Sequence, residues 1–486
     1  MGFIDYSVLV LFFVAMIIIG LYVKNLIKGI EDYFTAGHRM PWWLAAISHH
    51  MSGYSAFAFI AYASVAYKIG FPIYTLWAVT IAIAMVLGAL VFAPRWTNLG
   101  LYKKVVTPLE IMEPRFNNTV RQALAWSGIS LKFIDEGLKL YSIGVFVSVM
   151  AGIPLQWSII FSGIVALLYT TIGGIWADVL TDFAQFIVQL VITIPLAFIV
   201  LSKVGGWGGL WQQLPPGRLA AFGGDYTPLY VLIYLVVVIL SYNGGTWGLA
   251  QRFISLQGPR EGMKAAYLSA ALYLVYPLFM FIPMWAAPIF IPAIDNPEHA
   301  YVLMANKFLA PVLPGAMGFM LAAMFAATMS MVDSDSNSVS AVFTKDIYQR
   351  VFDPNATPEK LLNVGRITTA VFCALSVIAG LLTPAMGGAF KAMMTWFAGL
   401  MGPVAIPMLF GLIFKRTTWK GALLSWLCGV VSFFIFKYPM HGSWNLITGG
   451  SLLITAIVFI AEGYISKMPP EKQAEVDEIF EILERN

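Results

Sequence analysis

Long apolar segments dominate the chain and restrict it to one class of fold. Thirteen segments of about 20 to 30 residues are each long enough to cross the hydrocarbon core of a bilayer as a helix. They lie at about 6–27, 40–67, 71–95, 122–150, 153–173, 178–202, 227–250, 266–293, 309–332, 365–383, 391–414, 418–436 and 443–464. The chain is 59% hydrophobic and 11% charged, with a mean hydropathy of +0.79. We therefore expect an all-α polytopic membrane protein with about 13 transmembrane helices.

Lysine and arginine are distributed unequally over the loops that this helix count creates. Of the 29 basic residues, 21 fall on one side of the membrane, 6 fall on the other, and 2 lie inside a span. Because positive residues accumulate on cytoplasmic loops, the N-terminus is predicted outside the cell and the C-terminus in the cytoplasm. We expect a single transmembrane domain over residues 1–465 in the plasma membrane, or in the inner membrane of a bacterium, and a cytoplasmic tail over 466–486.

Composition also excludes several classes of protein. Cys373 and Cys428 are the only cysteines, which is too few for a disulfide framework or a thiolate metal site. The formal charge of +4 arises from the cytoplasmic loops and does not resemble a nucleic-acid-binding surface. The segments between spans are too short for a soluble catalytic domain. We expect no nucleic-acid partner, no organic cofactor and no enzymatic activity, and the sequence leaves the oligomeric state open.

Two of the apolar segments are interrupted at their centres by small and polar residues. The second contains Met-Ser-Gly-Tyr at 51–54, and the seventh contains Asn-Gly-Gly-Thr-Trp-Gly at 243–248. Glycine at membrane depth lets a helix unwind, which frees backbone carbonyls for ions or a solute when they face a protein-lined cavity. Close helix packing through small residues explains one such glycine. A matched pair five spans apart favours an inverted repeat, with halves at about 40–202 and 227–414.

A run of polar residues occupies the end of the ninth apolar segment, and no basic residue stands beside it. Its members are Ser330, Asp333, Ser334, Asp335, Ser336, Asn337 and Ser338. Carboxylates and hydroxyls at membrane depth are costly unless they bind a cation, hold protons or line a water-filled path. The alternative is that Asp333 and Asp335 lie in a water-filled cytoplasmic vestibule and are simply solvated. The run therefore predicts either an ion site or a hydrated cavity.

Six strings in the chain resemble the sodium/solute symporter family, which includes sodium-coupled sugar, proline, pantothenate, monocarboxylate and sialic-acid carriers. They are DYFTAGHRMPWW at 32–43, SAFAFIAYASVAYKIG at 55–70, TPLEIMEPRF at 107–116, GGIWADVLTDFAQ at 173–185, GLAQRF at 248–253 and AATMSMVDSDSNSVSAVFTKDIY at 326–348. Each occurs in the family's order and on the expected side of the membrane. The resemblance implies a leucine-transporter-like core of five-plus-five inverted repeats, with one helix before it and two after it.

The resemblance also implies a sodium site between the broken second helix and the ninth. The implied ligands are the backbone carbonyls of Met51, Tyr54 and Ala327 and the hydroxyl of Ser330. Many family members have a second hydroxyl where this chain has Met331, and a thioether is too soft to replace an oxygen on sodium. A competing alignment of the second helix places His50 where some members have an aspartate.

A second cation site is implied for some members of the family, and its positions match Asp182, Asp333 and Ser334 here. Two carboxylates close together in a low-dielectric site repel, so that either one is protonated or a cation lies between them. The pair therefore suits either cation binding or proton transport. His49 and His50 are possible partners of these aspartates, and structural hydrogen bonding is the alternative for both histidines.

Candidate substrate-binding residues follow from the same resemblance and from a charged helix face. The family's sugar-binding positions match Gly53, Ala58, Trp77 and Thr246, which lack the typical sugar ligands, and Trp247 offers a second ring for stacking. Glu136 belongs to a charged face on the fourth span. That face also holds Lys132, Asp135 and Lys139, at spacings that allow mutual neutralisation. If the face borders the cavity, it selects a charged or zwitterionic solute.

The leading hypothesis is a secondary active symporter that imports a small polar solute with an inward sodium gradient by alternating access. Met331, Asp333 and the histidine pair favour a proton-coupled or ion-uncoupled member of the same fold instead. A membrane-embedded acyltransferase using His50 with an acidic partner, or a transporter-like sensor, are alternatives from other classes. The acyltransferase leaves the paired helix breaks unexplained, and no signalling module follows residue 465.

Overall fold

Helices account for nearly all of the regular structure. The computed structural model describes residues 2–24, 35–170, 175–312 and 314–485, and no strand occurs within these ranges apart from an isolated bridge between Gly223 and Tyr226. The prediction of an all-α protein is confirmed. Parts of two strings quoted above, at 32–34 and 173–174, lie outside the described residues.

The helices that position the site are numbered in chain order. They are α1 (Phe3–Lys24), α2 (Trp42–Met51), α3 (Ala56–Ile69), α4 (Pro72–Lys103), α5 (Asn118–Ala151), α6 (Leu155–Thr170), α7 (Ile175–Lys203), α8 (Pro228–Gly245), α9 (Gly248–Ile254), α10 (Pro259–Phe290), α11 (Ala300–Phe308), α12 (Ala316–Phe352), α13 (Pro358–Leu382), α14 (Ala389–Gly411), α15 (Trp419–Lys437), α16 (Asn445–Ile465) and α17 (Pro470–Leu483).

Many of these helices are long and apolar enough to cross a membrane. Nine within the described residues meet that condition singly, and a tenth is added if α5 and α6, which meet at 119°, are counted together. α2 and α3 fall short individually because the break divides one apolar segment between them. The predicted number of about 13 spans stays a prediction.

The first helix break separates α2 from α3. The Ser55 hydroxyl caps α3 by accepting a hydrogen bond from the N–H of Phe57 at 3.1 Å. At the end of α2, the Tyr273 hydroxyl of α10 lies 2.8 Å from the carbonyl oxygen of His49 and 3.2 Å from that of His50. The break is therefore held by a side chain of a distant helix, that of Tyr273.

The second break separates α8 from α9 and contacts the first. Gly244 has a φ of 136°, which a residue with a side chain adopts only under strain. The indole N–H of Trp96 donates to the carbonyl of Asn243 at 2.8 Å. The Tyr242 hydroxyl donates to the carbonyl of Gly53 at 2.7 Å, so that the two interrupted helices are hydrogen-bonded to each other. The boundaries of the repeats, at 40–202 and 227–414, stay a prediction.

The helix with the polar run, α12, lies inside the bundle. It packs against α1, α5, α7 and α13, and every residue of the polar run except Asn337 is buried. The polar run is thus surrounded by protein rather than by lipid. Its partners are therefore the side chains of the neighbouring helices.

A short amphipathic helix ends the described chain. α17 buries Val476, Ile479 and Phe480, while its acidic residues point outward. The amide of Asn98, on α4, donates to the carbonyl of Arg485 at 2.8 Å. The tail at 466–486 therefore contains a helix docked on the end of α4, and its cytoplasmic location stays a prediction.

Candidate functional site

A central cavity lies where the two helix breaks meet. Its volume is about 80 Å³, and residues from α3, α4, α5, α8, α12 and α14 form its wall. Four of the predicted substrate-binding residues line it: Gly53, Ala58, Trp77 and Thr246. Of the other 18 lining residues, nine are aromatic residues or serines, five are aliphatic residues or methionines, and four are charged. The structure thus brings these four predicted residues to one cavity.

Gly53 is required where the breaks approach each other. A Cβ atom at this position would lie 1.6 Å from the Tyr273 hydroxyl oxygen and 2.9 Å from the Tyr242 ring. Only glycine fits beneath these two tyrosines. The residue therefore allows the contact that joins the two broken helices.

Glu136 and Trp247, the other two predicted substrate-binding residues, lie behind the cavity wall. Glu136 is fully buried, and its Oε2 accepts a hydrogen bond from Lys139 at 3.2 Å. Trp247 is 1% exposed, and its ring packs closely against Gly128 of α5. In this conformation both residues support groups that face the cavity.

The first break leaves two backbone oxygens without hydrogen bonds. Within the described part of the chain, the carbonyls of Met51 and Tyr54 accept none. The N–H of Ala56, which begins α3, donates to the Thr328 hydroxyl at 3.2 Å and holds the break against α12. Backbone carbonyls that unwinding releases at membrane depth are suitable ligands for a hard cation.

The predicted ligands on α12 lie one turn apart beside this break. Ala327 is fully buried, and the Ser330 hydroxyl is 1% exposed. The Ser330 hydroxyl makes no hydrogen bond of normal geometry with any described residue, although the Asp182 carboxylate lies close to it. A buried hydroxyl without a partner is costly, so this donor set fits a bound cation. Met331 lines the central cavity instead.

Asp182 belongs to a buried network at the α2 end of the first break. Its Oδ2 accepts from the Ser48 hydroxyl at 2.5 Å and lies 3.7 Å from the Arg252 guanidinium. Arg252 donates to Asp178 Oδ2 at 2.5 Å and to the Ser52 hydroxyl at 2.9 Å. One guanidinium from α9 therefore connects α2 with two carboxylates of α7.

Asp333 extends the same network from α12. It is 4% exposed and within electrostatic range of Asp178, Asp182 and Arg252. Within the part of the chain that the structure describes, its Oδ1 accepts only a long hydrogen bond, of 3.4 Å, from Asn337. Three carboxylates thus share one guanidinium, an excess of two negative charges if all are ionised. Burial makes this excess costly unless cations or protons reduce it.

Ser334, the third residue predicted for a second cation, faces α9. Its hydroxyl lies 2.7 Å from the position of a Cβ atom on Gly248, and its carbonyl accepts from Ser338 at 2.7 Å. Asp182, Asp333 and Ser334 are therefore gathered where α7, α9 and α12 meet. The solvated-vestibule alternative does not describe Asp333 in this conformation, because its carboxylate is buried.

The absence of a base near Asp335 is a feature of the local sequence alone. Lys132 Nζ lies 2.6 Å from Asp335 Oδ1, and Lys139 Nζ contacts Oδ2. Lys139 Nζ is also 3.0 Å from Asp135 and 3.2 Å from Glu136. Neither a bound cation nor solvation in a vestibule is needed to balance Asp335 in this conformation, since both lysines come from α5, 203 and 196 positions away.

The two histidines of α2 do not pair with aspartates. A carbonyl only accepts, so His49 Nε2 donates to the Tyr242 carbonyl at 3.2 Å, and its Nδ1 accepts from Ser269 at 2.9 Å. Both ring nitrogens of His50 lack a partner among the described residues. The His50 ring is enclosed by aromatic rings, those of Tyr54, Phe186, Tyr273 and Tyr276. A charge-paired His50 is therefore absent from this conformation.

Comparison with known proteins agrees with this geometry. Residues 33–429 match the model of the Sodium:solute symporter family. The chain belongs to this family. The symporter is 30% identical over 473 residues to a sodium/glucose cotransporter of Vibrio parahaemolyticus, covering 90% of this chain and 86% of the relative. It is 26% identical to a sodium/sialic acid symporter of Aliivibrio fischeri, covering 99% and 96% of the two chains.

Solved structures show the fold of this symporter. A substrate-bound, outward-open sodium-coupled sialic acid symporter superposes with a TM-score of 0.82 at 21% identity, covering 96% of this chain and 98% of that one. A nucleobase-cation-symport-1 family transporter in a closed conformation has a TM-score of 0.59 at 15% identity, covering 93% and 99%. The leucine-transporter-like core is confirmed. Its relatives are sodium-coupled solute symporters, so this chain is a solute symporter and not an enzyme.

Sequence reasoning missed the arginine at the centre of the symporter's acidic network. Arg252 was used only as part of a family string, and Asp178 was not singled out. Asp178 and Asp182 lie four residues apart on one face of α7. That spacing, with one arginine next to the second break, was the available signal.

Proposed function

We propose that this symporter holds sodium between the first helix break and α12, and that it imports a small polar solute bound in the adjoining cavity. The observation that carries the proposal is that one short segment, residues 51–55, borders both the ion site and the solute cavity. Among the described residues, segment 51–55 supplies unpaired carbonyls beside the Ser330 hydroxyl, which makes no normal hydrogen bond, and four of its five residues also line the cavity. Ion and solute therefore act on the same backbone.

Because sodium and the solute contact the same segment, the binding of one affects the affinity for the other. Met51, Tyr54, Ala327 and Ser330 would hold the ion, which supplies a positive charge that the buried oxygens otherwise lack. Ordering of the break by its ligand oxygens also fixes Gly53 and Tyr54 in the cavity wall. Each ligand then increases the affinity for the other by the same factor. That reciprocity allows an inward sodium gradient to drive solute uptake.

The transport cycle is proposed to move the broken helices against α12. The hydrogen bonds that join them come from single side chains, such as the Thr328 hydroxyl, which accepts from the N–H of Ala56. Such contacts are replaced at low cost when a helix pair tilts. The cavity, at about 80 Å³, holds little more than a few waters in this conformation. Movement of the broken helices opens the cavity to one side of the membrane at a time, which gives the solute its path.

A second role is proposed for the acidic network. Asp182, Asp333 and Ser334 are assigned to a second cation or to protons, because Arg252 neutralises only one of three buried carboxylates. Proton coupling through this network is the alternative to sodium coupling. The two ions differ in which gradient drives uptake.

Reconstitution in liposomes tests these proposals. Uptake of a panel of sugars, polyols, carboxylates and amino acids is measured with an inward sodium gradient, an inward proton gradient or neither. We expect accumulation with the sodium gradient, and a dependence on internal and external pH if the acidic network carries protons. Accumulation under a proton gradient alone would favour the alternative. No gradient-driven accumulation of any solute would contradict the proposed function.

A further inference from the structure

Two lysines converge on one carboxylate at the wall of the central cavity. Lys132 and Lys139 are seven residues apart on α5, which is two helical turns, so their side chains lie on the same face. Lys132 Nζ is 2.6 Å from Asp335 Oδ1, and Lys139 Nζ contacts Oδ2. Each oxygen of Asp335 thus has its own ammonium group. This is a complete binding arrangement for a carboxylate.

The cluster has no positive charge to spare. Asp135 Oδ2 lies 3.0 Å from Lys139 and 3.7 Å from Lys132, and Glu136 lies 3.2 Å from Lys139. Two ammonium groups therefore face three carboxylates. The side chains of Lys132, Lys139 and Asp335 are only 3–6% exposed, so water screens them weakly.

Among the described residues, the charged part of the cavity wall comes entirely from this cluster. Lys132, Asp135, Lys139 and Asp335 line the cavity, and their formal charges sum to zero. The other lining residues are uncharged aromatic, aliphatic and hydroxyl-bearing side chains. A hydroxyl group both donates and accepts hydrogen bonds, so an uncharged hydroxylated solute can bind to this wall without changing its net charge. A carboxylate on the solute would add a fourth negative charge to two positive ones.

We propose that Asp335 is a specificity-determining residue, whose carboxylate occupies the anion-binding position formed by Lys132 and Lys139 and thereby excludes carboxylate-bearing solutes from the cavity. The inference rests on the proposed function, because it takes the cavity as the solute site. A solute carboxylate must either displace Asp335 or bind beside it in a weakly screened site. The cavity therefore selects uncharged hydroxylated solutes.

Matched pairs of solutes test the inference, each pair differing by one carboxylate in place of a primary alcohol. Glucose is compared with glucuronate, and glycerol with glycerate, by sodium-driven uptake in liposomes and by thermal stabilisation. The wild-type symporter is expected to favour the uncharged member of any pair to which it responds. This comparison depends on no variant.

Replacement of the internal carboxylate should shift the preference toward the anionic solute. Asp335→Asn keeps the shape of the side chain and leaves Lys132 with Asp135 alone, at 3.7 Å. The ratio of anionic to uncharged uptake should rise by at least about tenfold, because a charge-assisted pair to Lys132 becomes available. The double variant Asp335→Asn/Lys132→Met removes that ammonium as well, and it should lose the acquired anion preference. A merely structural role for Asp335 would lower both uptakes equally.

The outcomes separate this inference from the proposed function. Equal or better uptake of glucuronate or glycerate by the wild type would overturn the inference and leave the symporter intact. So would an unchanged ratio in Asp335→Asn, or an anion preference that survives in the double variant. If neither member of any pair nor any panel solute moves in the wild type, both are overturned. The wild-type comparison decides the matter if Asp335→Asn does not fold.

Discussion

At the scale of single residues, Ser330 is the most informative position in the molecule. Its hydroxyl is buried without a normal hydrogen bond, close to the Asp182 carboxylate and one turn from Ala327. We expect Ser330→Ala to raise the sodium concentration needed for half-maximal stabilisation by about tenfold or more, since a hydrogen-bond-like contact to a charged group contributes about 1.5–3 kcal/mol. Melting temperatures measured across sodium chloride, with choline chloride holding ionic strength constant, provide the readout.

The matched control for this variant is Ser336→Ala. Ser336 is another buried hydroxyl on α12, and its one hydrogen-bond partner among the described residues is the Cys373 sulfur at 3.8 Å. Its replacement should leave the sodium dependence unchanged. Equal sodium dependence in Ser330→Ala and the wild type would place the sodium site elsewhere.

The acidic network gives a second prediction at this scale. Asp182→Asn and Asp333→Asn each remove one of the two carboxylate charges that Arg252 does not neutralise. We expect both variants to lower gradient-driven uptake by about tenfold or more, because the driving cation or proton loses a charged partner. Initial uptake rates in liposomes measure the effect.

Asp353→Asn is the control for a carboxylate outside the network. Asp353 pairs with Lys360 at 2.7 Å, and both side chains are partly exposed. Exposed pairs contribute about 0–1 kcal/mol, so uptake should not change. Indifference of uptake to both Asp182→Asn and Asp333→Asn would count against a shared ion site and would favour hydrated carboxylates.

At the scale of elements, the two helix breaks depend on residues that only the folded chain brings together. Gly244 combines a φ of 136° with a Cβ position 2.9 Å from the Trp96 indole. Gly244→Ala is expected to destabilise the protein by about 1–3 kcal/mol, from backbone strain and steric overlap. A lower melting temperature, followed by tryptophan fluorescence, is the measurement.

Gly208→Ala serves as the comparison for this backbone effect. Gly208 lies in the helix Gly206–Gln212, and a Cβ atom there would meet no atom within 4 Å. Alanine favours a helix over glycine, so this variant should be neutral or slightly stabilising. A Gly244→Ala protein as stable as Gly208→Ala would show that the second break tolerates a side chain.

At the scale of the whole molecule, the tail helix α17 connects the end of the chain to earlier helices. Phe480 is 1% exposed and lies near the Arg115 guanidinium, 6.0 Å from its ring. Phe480→Ala removes the main apolar anchor, and a buried phenylalanine contributes about 3–5 kcal/mol when truncated. We expect faster amide hydrogen exchange over residues 470–483, with little change in α12.

Glu481→Ala, at an exposed position of the same helix, is the control and should leave exchange unchanged. Unaltered protection of α17 in Phe480→Ala would mean that polar contacts, such as the one from Asn98 to Arg485, hold the tail by themselves. Faster exchange throughout the molecule would instead assign Phe480 to its global stability.

The sequence by itself determined the fold class, the two helix breaks and the helix that carries the polar run. Local patterns encode these features, since the length of an apolar segment, its interruption and a family string each depend only on residues that are neighbours in sequence. They also sufficed to place Gly53, Ala58, Trp77 and Thr246 at one cavity. Bilayer physics leaves few structures for such a pattern.

Only the tertiary structure decided how the buried charges are shared. Lys132 and Lys139 neutralise Asp335 from about 200 positions away, while Arg252 balances the aspartates of α7. Which helix faces meet depends on packing between distant segments, and no local spacing encodes it. The two aspartates of the polar run on α12 therefore have different partners. Asp335 receives two lysines, and Asp333 is left for an ion or a proton.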